Sequence, residues 1–172
     1  MTIAEDGEIL LRGPNVFSGY WKNDRATREA FADDGSFRTG DIGELKDGFL
    51  QITDRKKDLI ATSGGKKIAP QVIEQLLQRD PLVSHALIVG KRRPYITALV
   101  TVNETGPDVR GRVQKVVDAA NAELARPEQI KRFDVLRRDF SAEEGEITPT
   151  LKLKRRVCEQ HFAGEVEALY AR

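Results

Sequence analysis

This chain has one cysteine, no long apolar run and almost no net charge. Each of these features argues against a class of protein. The 172 residues include one cysteine, Cys158, so no internal disulfide can form, which is usual in a reducing, cytoplasmic setting. No apolar run approaches the roughly 20 residues that a membrane-spanning helix needs. The 28 basic residues nearly balance the 27 acidic ones, which argues against a polyelectrolyte partner such as DNA.

Two further features are missing, a metal site and a phosphate-binding loop. The chain has two histidines, His85 in an apolar run and His161 near the C-terminus, and neither has a second ligand at metal-binding spacing. The residues SGGKK at 63–67 do not fit the pattern G-x-x-x-x-G-K-[ST], because the spacing differs and an isoleucine follows. The sequence therefore predicts no metal site and no P-loop.

Hydrophobic residues make up 40% of the chain, which is enough for a packed core. Their periodicity predicts a β-rich front third and a rear part, from about residue 56, with a small sheet covered by helices. The fold class is thus predicted as α+β: a small mixed sheet, a two-stranded hairpin and about three covering helices, preceded by a β-rich fragment. The predicted strands lie at 7–13, 42–45, 49–53, 58–62, 66–69, 82–90, 95–102 and 130–138. The predicted helices lie at 27–31 (capped by Asp24), from Pro70, at 109–124 and from Arg155, the last with Cys158, Phe162, Val166 and Leu169 on its inner face.

An acid and a basic cluster stand close together in SFRTGDIGELKDGFLQITDRKKDLIATSGGKKIAP, at 36–70. The carboxylate of Asp41 could accept hydrogen bonds from two ribose hydroxyls, or it could close an Asx turn. The guanidinium of Arg55 suits phosphate or ribose oxygens, but it could also pair with Asp54 or Asp58 at the surface. Gly64 and Gly65 allow a hairpin turn or the close approach of a ligand chain.

A second basic stretch, TPTLKLKRR at 148–156, is predicted to be extended. One of Lys152 and Lys154 is expected to point inward and the other into water. The alternative is a basic approach to the last helix without a site. A nucleic-acid surface would need aromatic residues beside the basic ones, and this stretch has none.

Taken together, the order of these segments resembles the adenylate-forming superfamily of acyl-CoA synthetases, luciferases and peptide-synthetase adenylation domains. GEILLRGPNVFSGYWKNDRATREAF is similar to its segment G-E-[IL]-x-x-R-G-x-x-x-x-x-G-Y-x-x-x-x-x-x-T-x-x-x-F. FRTGDIGELKDGFLQITDRKKDLI is similar to its T-G-D motif and the Arg-containing hinge motif that follows. SGGKKIAPQVIE resembles its G-x-x-[IV]-x-P-x-x-[IV]-E continuation. DRKKDL and TPTLKLKRR are most similar to actinobacterial long-chain fatty acid–CoA ligases.

The resemblance implies a two-step reaction, in which a fatty acid and ATP give acyl-AMP and CoA then displaces AMP. By position, Asp41 would bind the ribose hydroxyls of ATP or AMP, and Arg55 the same ribose or the adjacent phosphate. Lys57 would be the hinge between two domains, residues 1–55 and 56–172. Gly64 and Gly65 would contact the pantetheine arm of CoA.

The family's adenylation lysine lies in the motif P-x-T-x-x-G-K, which here departs from the pattern. Thr148 aligns with the Thr and Lys152 with the Lys, whereas the Gly falls on Leu151 and the Pro on Glu146. This departure leaves Lys154 as the alternative catalytic residue. Either ammonium would stabilise the charge that develops on the phosphate oxygens during adenylation.

The family's Ser/Thr/Gly-rich phosphate loop, its acidic Mg²⁺ ligand and its acyl pocket are absent from this sequence. The chain is therefore expected to be the C-terminal portion of a longer ligase, with the missing N-terminal domain as its partner, and to be inactive alone. The expected location is cytoplasmic, with peripheral membrane association as an option for the full-length enzyme. Two alternatives stay open: a fatty acyl-AMP ligase or carrier-protein-loading enzyme, and a non-enzymatic binding module of the same small α/β shape.

Overall fold

The computed structural model describes residues 1–104 and 106–171, and the chain divides into two compact units, Met1–Leu59 and Ile60–Arg172. The first unit is an antiparallel sheet with a short helix. Its strands pair in the order β1 (Thr2–Ile3), β2 (Glu8–Leu11), β3 (Phe37–Lys46) and β4 (Phe49–Arg55). Asp47 and Gly48 join β3 to β4 with φ of +52° and +83°, the backbone that an Asp-Gly hairpin turn favours.

The helix of the first unit, α1 (Asp24–Ala30), begins earlier than predicted, and its cap is a different residue. The N-cap is Asn23, not Asp24, because Asn23 Oδ1 accepts a hydrogen bond from the Ala26 amide at 3.0 Å. This is the usual contact between an N-cap side chain and the third helical amide. Asp24 instead lies in the first turn, where its charge suits the helix dipole.

The second unit contains a small hairpin, a mixed sheet and covering helices. β5 (Ile60–Ala61) and β6 (Lys67–Ile68) form the hairpin, and β7 (Val83–Val89), β8 (Ile96–Val102) and β9 (Ile130–Val135) form the sheet in that order. β7 and β8 are antiparallel, and β9 is parallel to β8. The helices are α2 (Pro70–Leu77), α3 (Val109–Glu123), α4 (Arg155–His161) and α5 (Ala163–Tyr170).

The sheet of the second unit is buried on both faces, which explains the continuous apolar runs of β7 and β8. One face packs with α2, α3 and the β5–β6 hairpin; its core includes Ile60, Ile68, Ile73, Leu77, Ala86, Ile88, Ala98, Val113 and Val117. The other face packs with α4 and α5; its core includes Leu87, Val89, Leu99, Phe140, Cys158, Phe162, Val166 and Leu169. The predicted α+β class with a small mixed sheet is confirmed.

The last predicted helix is divided in two, so the described part of the second unit has four covering helices where about three were predicted. α4 ends at His161, and the backbone of Phe162 (φ −104°, ψ 28°) leaves the helical range before α5 begins at Ala163. The predicted inner face is nevertheless confirmed, because Cys158, Phe162, Val166 and Leu169 are all buried. Across the described residues, none of the helices has the length and apolar character needed to span a bilayer.

Candidate functional site

In the first unit, the structure brings together the two residues that were predicted to bind the nucleotide. Asp41 on β3 and Arg55 on β4 lie directly opposite each other, and Arg55 Nε is 3.0 Å from Asp41 Oδ1. The Asp41 amide donates a hydrogen bond to Thr39 Oγ1 at 3.1 Å, which helps to fix the backbone at this position. Both side chains keep solvent access, with 26% of Asp41 and 56% of Arg55 exposed.

A β-bulge sets this pairing. From the turn, Lys46 pairs with Phe49, and continuing that register would place Asp41 opposite Asp54. The register shifts after Gly43, and Thr53 is the additional residue in β4. The Thr53 hydroxyl donates to the Ile42 carbonyl at 3.2 Å. The shift therefore places a guanidinium, instead of a second carboxylate, beside Asp41.

Gly43 is needed for this close packing. A Cβ at Gly43 would lie 2.7 Å from the Gln51 carbonyl oxygen and 2.9 Å from the Ile9 side chain, closer than carbon atoms approach in proteins. A larger residue would separate β3 from β4 at the bulge. The glycine thus preserves the register on which the Asp41–Arg55 pair depends.

Lys56 holds the end of β4 against the start of the unit, and sequence reasoning missed this contact. Its Nζ lies 2.7 Å from both Asp6 Oδ2 and Glu8 Oε2, and hydrogen bonds to Asp6 and then to Glu8 raise the lysine pKa above its usual value. Glu8 is buried and also accepts from the Gly40 amide at 3.1 Å. An open depression of about 330 Å³ next to this network is lined by Gly40, Arg55, Lys56 and Lys57.

Lys57, the predicted hinge, lies in an exposed turn just after β4. The Asp58 and Leu59 amides both donate to the Arg55 carbonyl, at 2.9 and 3.2 Å. Gly64 and Gly65 lie in the loop between β5 and β6, and Gly65 has φ of +77°. Added Cβ atoms there would meet no heavy atom closer than Thr62 Oγ1, 4.0 Å from Gly64, so the backbone of this loop is accessible.

In the second unit, Lys152 lies on a small hairpin that follows β9. The Thr148 amide donates to the Lys152 carbonyl at 2.8 Å, and the Lys152 amide donates back to Thr148 Oγ1 at 3.0 Å. Leu151 has φ of +59°, in the left-handed region where glycine is favoured. Both Lys152 and Lys154 are exposed, so the prediction that one of them points inward is wrong. The cause is that residues two apart in an extended segment share one side, and Leu153 between them packs against the core.

Leu151→Gly is expected to raise the free energy of unfolding slightly. A left-handed L-residue costs about 1–2 kcal/mol, whereas glycine loses about 0.5–1 kcal/mol more chain entropy on folding, so the net gain is between zero and about 1.5 kcal/mol. The matched control is Leu153→Gly, because Leu153 packs against the core and has no positive φ. Urea unfolding of both variants measures the effect; an equal loss in the two would contradict this account of the turn.

An ion pair between a buried carboxylate and a half-buried guanidinium supports the segment that follows Lys152. Arg155 Nη2 lies 2.8 Å from Glu74 Oε1 on α2, and Arg155 Nη1 donates to the Ile88 carbonyl at 2.8 Å. Glu74 also accepts from the Ile88 amide at 2.8 Å. An open depression of about 250 Å³ lies beside this pair, and its walls include Gln75, His85 and Lys152. α2, β7 and the Lys152 hairpin therefore meet around one charged contact.

A second buried carboxylate, Glu146, anchors the other side of the hairpin. It is fully buried, and both of its oxygens face Arg138, at 2.6 and 2.7 Å. His161 Nδ1 and the Ser141 amide each lie 2.9 Å from its oxygens. The hydrogen bonds from Arg138 lower the pKa of Glu146 to about 2, although burial opposes them. Its carbonyl accepts from the Lys154 amide at 2.7 Å, which ties the network to the hairpin.

The two histidines contact acidic side chains, and the cysteine is packed in the core. His85 Nδ1 is 2.9 Å from Asp139 Oδ1, and His161 contacts Glu146. Cys158 is buried, and desolvation raises the pKa of its thiol to about 11, so it is protonated at neutral pH. Within residues 1–104 and 106–171, no group of three or more His, Cys, Asp or Glu side chains could hold a metal ion.

The chain is similar to long-chain fatty acid–CoA ligases over nearly its full length. It is 43% identical to the long-chain-fatty-acid–CoA ligase FadD15 of Mycobacterium tuberculosis, across 99% of this chain and 32% of that protein. It is 32% identical to the long-chain-fatty-acid–CoA ligase ACSBG1 of Homo sapiens, across 95% of this chain and 28% of that protein. The chain thus spans about a third of the length of the curated relatives it matches.

Solved structures with the same fold include adenylation domains of carboxylic acid reductases. The adenylation domain of a carboxylate reductase from Mycobacterium chelonae superposes with a TM-score of 0.79 at 28% identity, over 96% of this chain and 28% of that one. The A-PCP didomain of a carboxylic acid reductase from Segniliparus rugosus, in complex with AMP, superposes with a TM-score of 0.75 at 25% identity. This match covers 96% of this chain and 25% of the didomain chain. The model of the AMP-binding enzyme C-terminal domain matches residues 57–172. Because this match covers more than half of the chain, the protein belongs to the family of AMP-binding enzyme C-terminal domains.

Proposed function

We propose that this chain is the C-terminal portion of a long-chain fatty acid–CoA ligase. Residues 1–55 would end the large adenylation domain, and residues 56–172 would form the small C-terminal domain. The observation that carries the proposal is the Asp41–Arg55 pair beside an open depression, in a chain of the AMP-binding family. The identity to mycobacterial fatty acid–CoA ligases supports the substrate class.

The proposed reaction has two steps. A fatty acid carboxylate oxygen attacks the α-phosphorus of ATP, the bond to the β-phosphate oxygen breaks, and acyl-AMP and pyrophosphate form. The sulfur of CoA then attacks the acyl carbonyl carbon, AMP leaves and the thiol proton is released. Asp41 would accept hydrogen bonds from the ribose hydroxyls, and Arg55 would orient Asp41 and contact the ribose or the adjacent phosphate.

The other predicted site residues are given roles from their positions in the family motifs. Lys152 would supply an ammonium to the phosphate oxygens during adenylation, with Lys154 as the alternative. Lys57 would act as the hinge that lets the small domain rotate between the two steps, since it lies in an exposed turn. Gly64 and Gly65 would contact the pantetheine arm of CoA through their open backbone.

Mg²⁺ would accompany ATP, but no described cluster of this chain fits a metal ion. Its ligand is therefore proposed to lie in the N-terminal domain, which would also supply the phosphate loop and the acyl pocket. The proposed location is the cytoplasm, with peripheral membrane association for the full-length enzyme. Fatty acid, ATP and CoA would be its substrates.

The 172-residue chain alone is expected to show no steady turnover, because the phosphate loop and acyl pocket are not in its sequence. Incubation with ATP, palmitate and CoA, followed by measurement of AMP, tests this expectation. A complete ligase that carries this segment is the positive control and should release AMP and form palmitoyl-CoA. Turnover by the chain alone would contradict the proposal that catalysis needs the phosphate loop and acyl pocket of the N-terminal domain.

Asp41→Asn is expected to weaken AMP binding by about tenfold or more in a complete ligase, since it removes the charge from a group that accepts hydrogen bonds. Asp47→Asn is a matched control on the same hairpin, because Asn also tolerates the positive φ of that turn. Titration with AMP measures both variants. If AMP binds equally well after Asp41 and Arg55 are both neutralised, the nucleotide site lies elsewhere.

A different acyl acceptor is a second candidate, and the similarity to adenylation domains of carboxylic acid reductases favours keeping it. In that case the enzyme would make acyl-AMP and pass the acyl group to a carrier protein. A complete ligase that forms acyl-AMP but no acyl-CoA would select this option. Rapid formation of acyl-CoA would exclude it.

A further inference from the structure

The segment 39–41 of β3, which carries Asp41, bulges away from the neighbouring strand β2. The β3 residues on either side of it pair with Leu10 and Glu8, so three residues of β3 lie opposite Ile9 alone. On its other edge the segment stays paired with β4, since the Lys56 amide donates to the Gly40 carbonyl at 2.8 Å. We call residues 39–41 the Asp41 bulge.

Side-chain oxygens take the place of strand partners along the Asp41 bulge. Thr39 Oγ1 accepts from the Asp41 amide at 3.1 Å and donates to the Ile9 carbonyl at 2.7 Å. Glu8 Oε1 accepts from the Gly40 amide at 3.1 Å. The backbone of the bulge is therefore held against β2 by Thr39 and Glu8.

Glu8 is the charged member of these two, and only 4% of its side chain is exposed. Its Oε2 lies 2.7 Å from Lys56 Nζ and 3.6 Å from Arg38 Nη1. A carboxylate buried this deeply needs paired charges, and a hydrogen bond to a charged acceptor is about twice as strong as one to a neutral acceptor. The Gly40 amide thus bonds to an acceptor that two cations hold in place.

The backbone of Gly40 depends on this bond more than on packing. Gly40 has φ of +71°, in a region that glycine enters readily and leaves readily. An added Cβ there would meet no heavy atom of residues 1–104 or 106–171 within 4 Å. Hydrogen bonds, rather than side-chain contacts, therefore fix the conformation just before Asp41.

Glu8 also links the two strands that carry the Asp41–Arg55 pair. One of its oxygens bonds to Gly40, directly before Asp41, and the other pairs with Lys56, directly after Arg55. Loss of the carboxylate would remove both contacts at once. Since a binding residue has to be held within about 0.5 Å of its working position, such a loss would reach the nucleotide site.

We propose that Glu8 is a positioning residue for the nucleotide site, which holds the Asp41 bulge so that the Asp41 carboxylate meets the ribose hydroxyls. Because Glu8 is buried, it acts through Asp41 and does not itself touch the nucleotide. This inference rests on the proposed role of Asp41. It adds a residue that nucleotide binding needs and that no step of the reaction uses.

The test is the steady-state kinetics of adenylation in a complete ligase that carries this segment, with Glu8→Gln and varied ATP. We expect the KM for ATP and the Kd for AMP to rise about fivefold, the value of one hydrogen bond, with kcat nearly unchanged. The glutamine keeps the size of the side chain but presents no negative charge to Lys56 and Arg38. Glu44→Gln is the matched control, an exposed glutamate on the same strand as Asp41, and should leave both constants unchanged.

A merely structural role of Glu8 would give a different result. If Glu8→Gln only reduced the fraction of folded enzyme, kcat would fall at an unchanged KM, and this outcome would overturn the inference. Should the single variant not fold, Glu8→Gln combined with Lys56→Gln removes the opposing lysine charge as well. The same rise in KM is then expected relative to Lys56→Gln alone, and an unchanged KM overturns the positioning role.

Combination with Asp41→Asn shows whether Glu8 acts through Asp41. Once Asp41 is neutralised, Glu8→Gln should weaken AMP binding by less than about twofold further. Two effects that multiply in full would mean that Glu8 acts by another route, against the inference. If Asp41→Asn leaves AMP binding unchanged, the proposed nucleotide site itself is wrong. An effect of Asp41→Asn with none of Glu8→Gln would refute the positioning role alone.

Discussion

Lys152→Ala is expected to reduce acyl-AMP formation by about 10²–10³-fold in a complete ligase that carries this segment, which is the usual cost of removing one group that stabilises transition-state charge. Lys152 is exposed, and its carbonyl and amide both bond to Thr148 across the hairpin. Thioester formation from added acyl-AMP should change much less, because the α-phosphate charge is already formed. Pyrophosphate release measures the first step, and acyl-CoA formation from acyl-AMP measures the second.

Lys154→Ala is the matched control for this experiment, since Lys154 is also exposed and lies two residues further along the chain. A large loss in Lys154→Ala with little loss in Lys152→Ala would assign the catalytic role to Lys154. If adenylation survived both substitutions, the aligned motif would be a coincidence, and a non-enzymatic binding module would become the better hypothesis.

Much of the second unit follows from local pattern alone. The runs around β7 and β8 are apolar on both faces, and Pro70 begins α2 as its first residue, where a missing amide costs little. The extent of β3 does not follow in this way. Its first residues, from Phe37 to Ile42, include the polar or small run Arg38 to Asp41 and pair with β2, so their strand structure depends on a partner far away in sequence.

The site shows the same division between local and distant effects. The turn at Asp47–Gly48 predicts a hairpin, but only the bulge at Thr53 places Arg55 opposite Asp41. A one-residue shift of register is not visible in the alternation of side chains. The Glu74–Arg155 pair was missed for a related reason: it joins α2 to the first residue of α4, and no sequence spacing indicates the contact. The positive φ of Leu151 could be predicted only from the family motif P-x-T-x-x-G-K, which has a glycine at this position.

Glu146→Gln is expected to lower the free energy of unfolding by about 3 kcal/mol at pH 7, the value of a pKa shift from 4.5 to about 2. The carboxylate is fully buried and faces Arg138, His161 and the Ser141 amide, and an amide can satisfy these donors only in part. The substitution should also loosen the Lys152 hairpin, whose Lys154 amide binds the Glu146 carbonyl. Urea unfolding measures the loss, and Glu144→Gln, an exposed neighbour, is the matched control.

The pH dependence separates this charge effect from simple loss of packing. Because the pKa of Glu146 is lower in the folded protein than its ordinary value of 4.5, the carboxylate stabilises the fold fully above about pH 4.5. That contribution is lost as the pH falls from about 4.5 through about 2, and below that pH the group is protonated in both states. The difference in unfolding free energy between wild type and Glu146→Gln should therefore be largest at pH 7 and smaller at pH 3. A difference that stayed constant across this range would mean that the buried charge is not what stabilises the hairpin.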